Sequence, residues 1–194
     1  MEADLLRSAI SALVGGPRHR VGDTSAIQPV AGLYAIYGDR RATLEIGTGT
    51  SEFPLYVGKA ERNLVSRDVR THFATGKTGS STLRRTLAAL LKDLLDLHAV
   101  PRNPHDPDGS ANYSLETSGD DRLTAWMLAR LEIATWAAPA GTELGRVETS
   151  VLAELRPPLN LAKMGGHADH RIKRARADMA AQARSRTGDE IVRA

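Results

Sequence analysis

The stretch Leu55-Tyr56-Val57-Gly58-Lys59-Ala60 decides the reading of this chain. Pro54 to Gly58 reads as a strand, and an earlier run, Val30 to Tyr37, reads as another that carries Gly32-Leu33-Tyr34. Side chains alternate along a strand, so Tyr34 shares a face with residue 36 and Tyr56 with Gly58. Pairing of the two strands would bring the phenols of Tyr34 and Tyr56 together over a spot that a glycine leaves open. A phenol is a weak base at neutral pH, with an ordinary pKa of about 10. A nearby cation such as Lys59, or a metal, would lower it enough to orient or deprotonate a water. Taken alone, the two phrases read more simply as core tyrosines.

Working outward, Glu2 to Val14 has apolar residues at helical spacing and ends at Gly15-Gly16-Pro17. Polar sequence runs from there to Pro29. Ala42 to Ile46 reads as a further strand, with Gly47-Thr48-Gly49-Thr50-Ser51 as the turn before Pro54. Leu64 to Phe73 and Ser80 to Leu97 read as helices, the second with a broad leucine stripe. After a loop over 101–110 come a strand at Asn112–Glu116, a helix opened by Asp120 or Asp121, and a strand around Ile133–Trp136. Thr142 to Leu155 reads as a helix stopped by Pro157-Pro158, with Leu159–Leu161 extended. Gly165-Gly166 marks a hinge before a basic helix over 169–185. The expected class is α/β (α+β): a small, mostly antiparallel central sheet flanked by helices, with extra helices at both ends.

The order of phrases carries more than any one of them. Tyr56-Val57-Gly58-Lys59-Ala60 leads into a helix with Arg67 and Arg70, then His72-Phe73; later Val147-Glu148 lies in a helix that runs toward Arg156-Pro157-Pro158-Leu159-Asn160. This ordered set resembles the GIY-YIG nuclease superfamily over about residues 30 to 163. The resemblance divides the chain into an N-terminal helix and linker (1–29), a nuclease domain (30–163) and a basic tail (164–194).

The resemblance implies a DNA endonuclease that hydrolyses a phosphodiester in one metal-assisted step, leaving a 5′-phosphate and a 3′-hydroxyl. Tyr34 and Tyr56 would position and activate the water, with Lys59 tuning that tyrosine. Arg67 would hold the scissile phosphate, and His72 would contact phosphate or assist proton transfer. Glu148 would bind one Mg2+ or Mn2+ as a hard oxygen ligand, and Asn160 would orient the site. Gly32 and Gly58 would allow close backbone approach. Leu33 and Val57 stand for the family's isoleucines. The interval between the tyrosine phrases is longer than usual, implying an extended hairpin. Arg67 falls one residue late, which leaves Arg70 as a rival. A module that kept the fold and lost cutting is the alternative function.

Composition agrees with this reading. With 194 residues, the chain has room for one domain with a core and an appendage. No cysteine is present, which excludes disulfides and cysteine-ligated zinc. The longest apolar runs are too short for a membrane span, and acidic Glu2 and Asp4 do not suit a signal peptide, so a cytoplasmic protein without membrane contact is expected. The net charge of +3 is uneven. Lys59 to Lys92 holds eight basic residues against Glu61 and Asp68, and Lys163 to Ala194 holds eight against four acidic. Two basic zones suit a polyanion such as DNA, with Arg84, Arg85, Arg171 and Arg174 as further phosphate contacts; solvated arginine faces are the plainer alternative. Without room for a separate recognition domain, specificity is expected to be weak or supplied by a protein partner. Gly76-Lys77-Thr78 lacks the spacing of a phosphate loop and reads as a polar turn leading to a helix capped at Ser80 or Ser81.

Overall fold

A computed structural model describes residues 2–23, 25–65, 72–103, 105–106, 112–161 and 169–186. The fold mixes helices with antiparallel strands, as expected, and the chain forms two compact units. Met1–Arg70 with Met127–Ala168 make the first; Thr71–Trp126 with Asp169–Ala194 make the second.

The first unit is built on a four-stranded antiparallel sheet in the order β1-β6-β2-β3, with β1 at His19–Arg20, β2 at Gly32–Gly38, β3 at Tyr56–Ala60 and β6 at Leu131–Ala137. Strand β2 is central and buried along its whole length. Its odd residues Leu33, Ala35 and Tyr37 join Val57, Ala134 and Trp136 in a core with helices α1 (Glu2–Gly15) and α5 (Leu144–Leu155). Those helices contribute Ala9 and Leu13, and Leu144, Val147, Val151 and Leu152. Burying a side chain of this size contributes about 1.5–3 kcal/mol. Tyr37 is used up here. Its hydroxyl donates to the Leu13 carbonyl at 2.6 Å, and the Arg18 guanidinium lies 3.7 Å from its ring centroid.

Two expectations for this unit are corrected. Residues 42–46 are not a strand but part of helix α2 (Arg40–Ile46). Asp39 caps it by accepting from the Ala42 amide at 2.7 Å, and Gly47 closes it in the left-handed region at φ 64°. The interval between the tyrosine phrases is therefore taken up by a helix rather than by a lengthened hairpin. The segment 159–161 forms turns rather than an extended piece, although the Leu159 amide still donates to the Leu55 carbonyl at 2.9 Å. Strand β1 was not legible in the polar tract after Pro17.

The second unit holds a two-stranded sheet, β4 (Ala99–Pro101) with β5 (Tyr113–Leu115), and helices α3 (Thr82–Leu90) and α6 (His170–Ser185). Ser81 caps α3, accepting from the Arg84 amide at 3.1 Å. Helix α3 is shorter than the leucine stripe promised: it ends at Leu90, and the chain turns through Asp96 at φ 49°. Those turns bury Leu91 and Leu97 and leave Leu94 outside. Helix α4 (Thr117–Arg130) opens before Asp120, which sits in its first turn instead of capping it. Helix α6, capped by Asp169, packs through Ile172, Met179, Ala180 and Ala183. Most of the helix expected at 64–73, and the Gly165-Gly166 hinge, lie outside the described residues.

Candidate active site

Strand register creates the first element of the site. β2 and β3 run antiparallel with Tyr34 opposite Gly58 and Ile36 opposite Tyr56. Alternation places Tyr34, Tyr56 and Gly58 on the face opposite Leu33, Tyr37 and Val57. The two phenol rings lie 6.3 Å apart between centroids, tilted by 36°, and their hydroxyls share a hydrogen bond. Gly58 makes this arrangement possible: a β-carbon there would come within 2.5 Å of the Tyr34 Cζ, overlapping the ring.

Asn160 fixes the strand beside them. Arg156, at φ 46°, ends α5, and Pro157-Pro158 prevents its continuation. The chain then returns along the free edge of β3. There the Asn160 side chain acts as a neighbouring strand: its Nδ2 donates to the Val57 carbonyl at 2.7 Å, and its Oδ1 accepts from the Val57 amide at 2.8 Å. Both backbone groups of the residue between Tyr56 and Gly58 are satisfied by this one carboxamide.

Glu148 comes from the second turn of α5, next to Val147 in the core, and is only 6% exposed. Its charge acts on both Tyr56 and Lys59. Burial pushes the Tyr56 phenol above its ordinary range, Glu148 pushes it further, and the hydrogen bond with Tyr34 works the other way. The Lys59 ammonium is bonded to Glu61, which raises its pKa. A lowering of the tyrosine by Lys59, as the sequence led us to expect, is thus not what the protein alone provides; Glu61 is a partner that sequence reasoning missed.

The remaining predicted residues fall elsewhere. Arg67 and Arg70 lie outside the described residues. His72 belongs to the second unit, where its Nδ1 is 2.6 Å from the Ser81 Oγ at the start of α3. Arg84 is fully buried, neither a phosphate contact nor a solvated cation: it pairs with Asp120 at 2.6 Å and also donates to Thr78, Thr124 and the His72 carbonyl. Arg85 is also buried, its guanidinium turned onto the carbonyls of Thr78 and Gly79. Arg171, paired with Asp169 at 3.8 Å, and Arg174 are exposed on α6.

Among the described residues, no three histidine, aspartate or glutamate side chains gather into a ready-made metal centre. The donors present still suit a hard divalent ion. A nearly buried carboxylate acts on a phenol that burial first and this charge second hold in the protonated form, and a cation at Glu148 would offset that charge. Mg2+ is commonly held by one or two carboxylates and fills its remaining positions with water and substrate phosphate.

With this arrangement in view, the match to known families is direct. The GIY-YIG catalytic domain model matches residues 27–181, most of the chain, and the protein belongs to that family. Membership gives it a nuclease-type catalytic domain, for which the substrate class is nucleic acid. No curated protein and no solved structure matches the chain. Among the described residues, no helix is long and apolar enough to cross a membrane.

Proposed function

We propose that this chain is a divalent-metal-dependent DNA endonuclease acting through Tyr34, Tyr56, Glu148 and Asn160, with Arg67 supplied by the segment after β3. The observation that carries this reading is the hydrogen-bonded phenol pair over Gly58, with the Glu148 charge felt by one of the two.

Each residue then has a physical task. Tyr56 would act as the base in its phenolate form, its own proton lost to solvent once positive charge at Glu148 offsets the carboxylate. Its Oη then orients the attacking water and takes that water's proton, while Tyr34 donates a hydrogen bond to the same oxygen. Glu148 anchors the cation. When bound, a Mg2+ or Mn2+ ion supplies positive charge that offsets the carboxylate and polarises the scissile phosphate. Asn160 acts as a positioning residue, holding β3 by the backbone so that Tyr56 and Gly58 keep their register. Lys59, half-exposed and close to the Glu148 charge, biases the rim toward an anionic substrate. Arg67, whose fork can grip two phosphate oxygens, is the residue assigned to the scissile group, with Arg70 its rival and His72 a further phosphate contact on the family pattern.

The test is cleavage of supercoiled, linear, single-stranded and branched DNA with Mg2+ or Mn2+. Tyr56→Phe should slow single-turnover cutting by about 10²–10⁴-fold. Glu148→Gln should remove metal-dependent cutting while leaving DNA binding in chelator intact. Wild-type rates in both variants would place the chemistry elsewhere. Binding without any cutting by the wild type would favour a module that has lost its activity.

A further inference from the structure

A second cationic centre, distinct from the tyrosine site, lies within the second unit. Arg85 forms its floor. This side chain is 6% exposed, and its terminal nitrogens are held by the Gly79 carbonyl at 2.8 Å, the Thr78 carbonyl at 3.3 Å and the Thr82 hydroxyl at 3.3 Å. Its Nε is buried and has no hydrogen-bond partner. Arg102 lies alongside: a β-carbon on Gly79 would sit 3.2 Å from its Cγ and 3.7 Å from its Cδ, so its stem crosses the same glycine whose carbonyl takes Arg85. Arg176 approaches from α6, half-buried, near enough for its charge to act on Arg85. Tyr113, opposite Pro101 in the β4–β5 pair, donates its hydroxyl to the Arg85 carbonyl.

Among the described residues, this cluster lacks compensation. The charges among them that act on Arg85 are those of Arg176 and Arg102, with Tyr113 as a further ionisable neighbour. Burial holds the Tyr113 phenol well above its ordinary range, so it stays neutral at physiological pH and cannot serve as a counter-ion. Among the described residues, no carboxylate forms an ion pair with Arg85, Arg102 or Arg176; the neighbouring Arg186–Glu116 and Arg84–Asp120 pairs are closed on themselves. Burial and the facing guanidinia bring Arg85 down to about 10, and burial lowers Arg176 as well. Gathering three guanidinia around a buried, unsatisfied donor is costly unless an anion completes it. Guanidinium forks match phosphate oxygens in geometry and charge.

We propose that Arg85, Arg102 and Arg176 form an anion site that takes a phosphate of a nucleic-acid backbone. The choice of nucleic acid over a free phosphate rests on the nuclease reading; the anion chemistry does not. Arg102 and Arg176 form the accessible rim, so the site positions substrate by charge and carries no base readout.

The experiment uses the full chain in chelator, where no cutting occurs, and compares wild type with Arg102→Ala and Arg176→Met. Duplex DNA binding is followed by fluorescence anisotropy across a salt series, and melting temperature is followed with and without inorganic phosphate. Each variant should bind several-fold more weakly and lose about one unit of the slope of log K against log salt. Without anion, Arg176→Met should melt no lower than wild type, because it removes repulsion; this also establishes that it folds. Unchanged affinity and slope in both variants would overturn the proposal. So would stabilisation of the wild type by inorganic phosphate with DNA binding unaffected by either substitution, since the site would then serve a free anion. DNA binding that depends on these arginines in a chain that never cuts would uphold this site and sink the tyrosine-site reading. Cutting that depends on Tyr56 and Glu148 while both arginine variants bind as wild type would do the reverse.

Discussion

Arg84 and Asp120 meet in the second unit at 2.6 Å, both buried, and the rest of their hydrogen-bonding capacity is spent on the same structure: Thr78, Thr124, the Gly76 amide and the His72 carbonyl. Glu148 in the first unit is buried to a similar degree, yet its charge is felt by a phenol and by an ammonium at the rim. One centre closes on itself; the other projects its field toward groups that can move protons or meet an ion. Adjacent residues of α3 repeat the difference, since Arg84 has Asp120 while Arg85 faces two more arginines. Burial of charge is common to all of these places. What distinguishes the two centres is where the charge reaches: Arg84 and Asp120 act on each other inside the second unit, whereas the Glu148 charge acts on a phenol and on an ammonium at the rim.

The sharpest way to break this comparison is to remove the acid from the closed centre. Asp120→Ala strands Arg84 in the interior together with the Gly76 amide and Thr78 hydroxyl that Asp120 accepts from. Loss of one partner of a buried pair costs about 3–5 kcal/mol. Urea unfolding should register that loss, and Arg84→Met combined with Asp120→Leu should recover most of it. A cost for Asp120→Ala alone of under about 1 kcal/mol would mean that the pair is not the closed structural centre described here.

Gly58 offers an intermediate effect on the open side. An alanine there must displace the Tyr34 ring, and forcing a methyl into packed space costs about 1–3 kcal/mol. Elsewhere in a strand the same change would help, because glycine carries extra backbone entropy. Gly58→Ala should therefore lower stability and, by moving Tyr34 off Tyr56, slow cutting beyond what the lost stability explains. A variant as stable as wild type would show that the phenol does not need the open spot.

The legibility of these features followed the range of the interactions behind them. Tyr34, Tyr56 and Gly58 were readable because strand alternation and a glycine are local signals, and their register needed only one pairing. Helix α2 was misread although its signals were present, Asp39 before it and Gly47 after it; five residues with apolar positions do not distinguish strand from helix by periodicity. The fate of Arg84 was not readable, because its partner lies thirty-six residues later on another helix and nothing in either segment announces the meeting. Likewise Arg102 stands in a loop-like stretch of sequence, and its approach to Gly79 and Arg85 comes from segments far apart along the chain.

The smallest expected effect comes from an acid–arginine pair at the surface, which sharpens the comparison by supplying its exposed limit. Asp39 lies 3.3 Å from Arg130, with roughly a third of each side chain accessible to solvent. Solvent screens such a pair, and exposed ion pairs are worth about 0–1 kcal/mol. Asp39 also caps α2 through the Ala42 amide, a contact worth about 1 kcal/mol. The two contributions separate by substitution. Asp39→Asn keeps an oxygen for the cap and gives up the charge, so it should cost a few tenths of a kcal/mol and flatten the dependence of stability on salt. Asp39→Ala loses both and should cost about 1–2 kcal/mol, most of it insensitive to salt. If the two variants are equally destabilised, the cap contributes nothing and α2 is not held as described. If Asp39→Asn alone costs as much as Asp120→Ala, exposure does not weaken an acid–arginine pair in this protein, and the contrast between closed, open and solvated charge loses its basis.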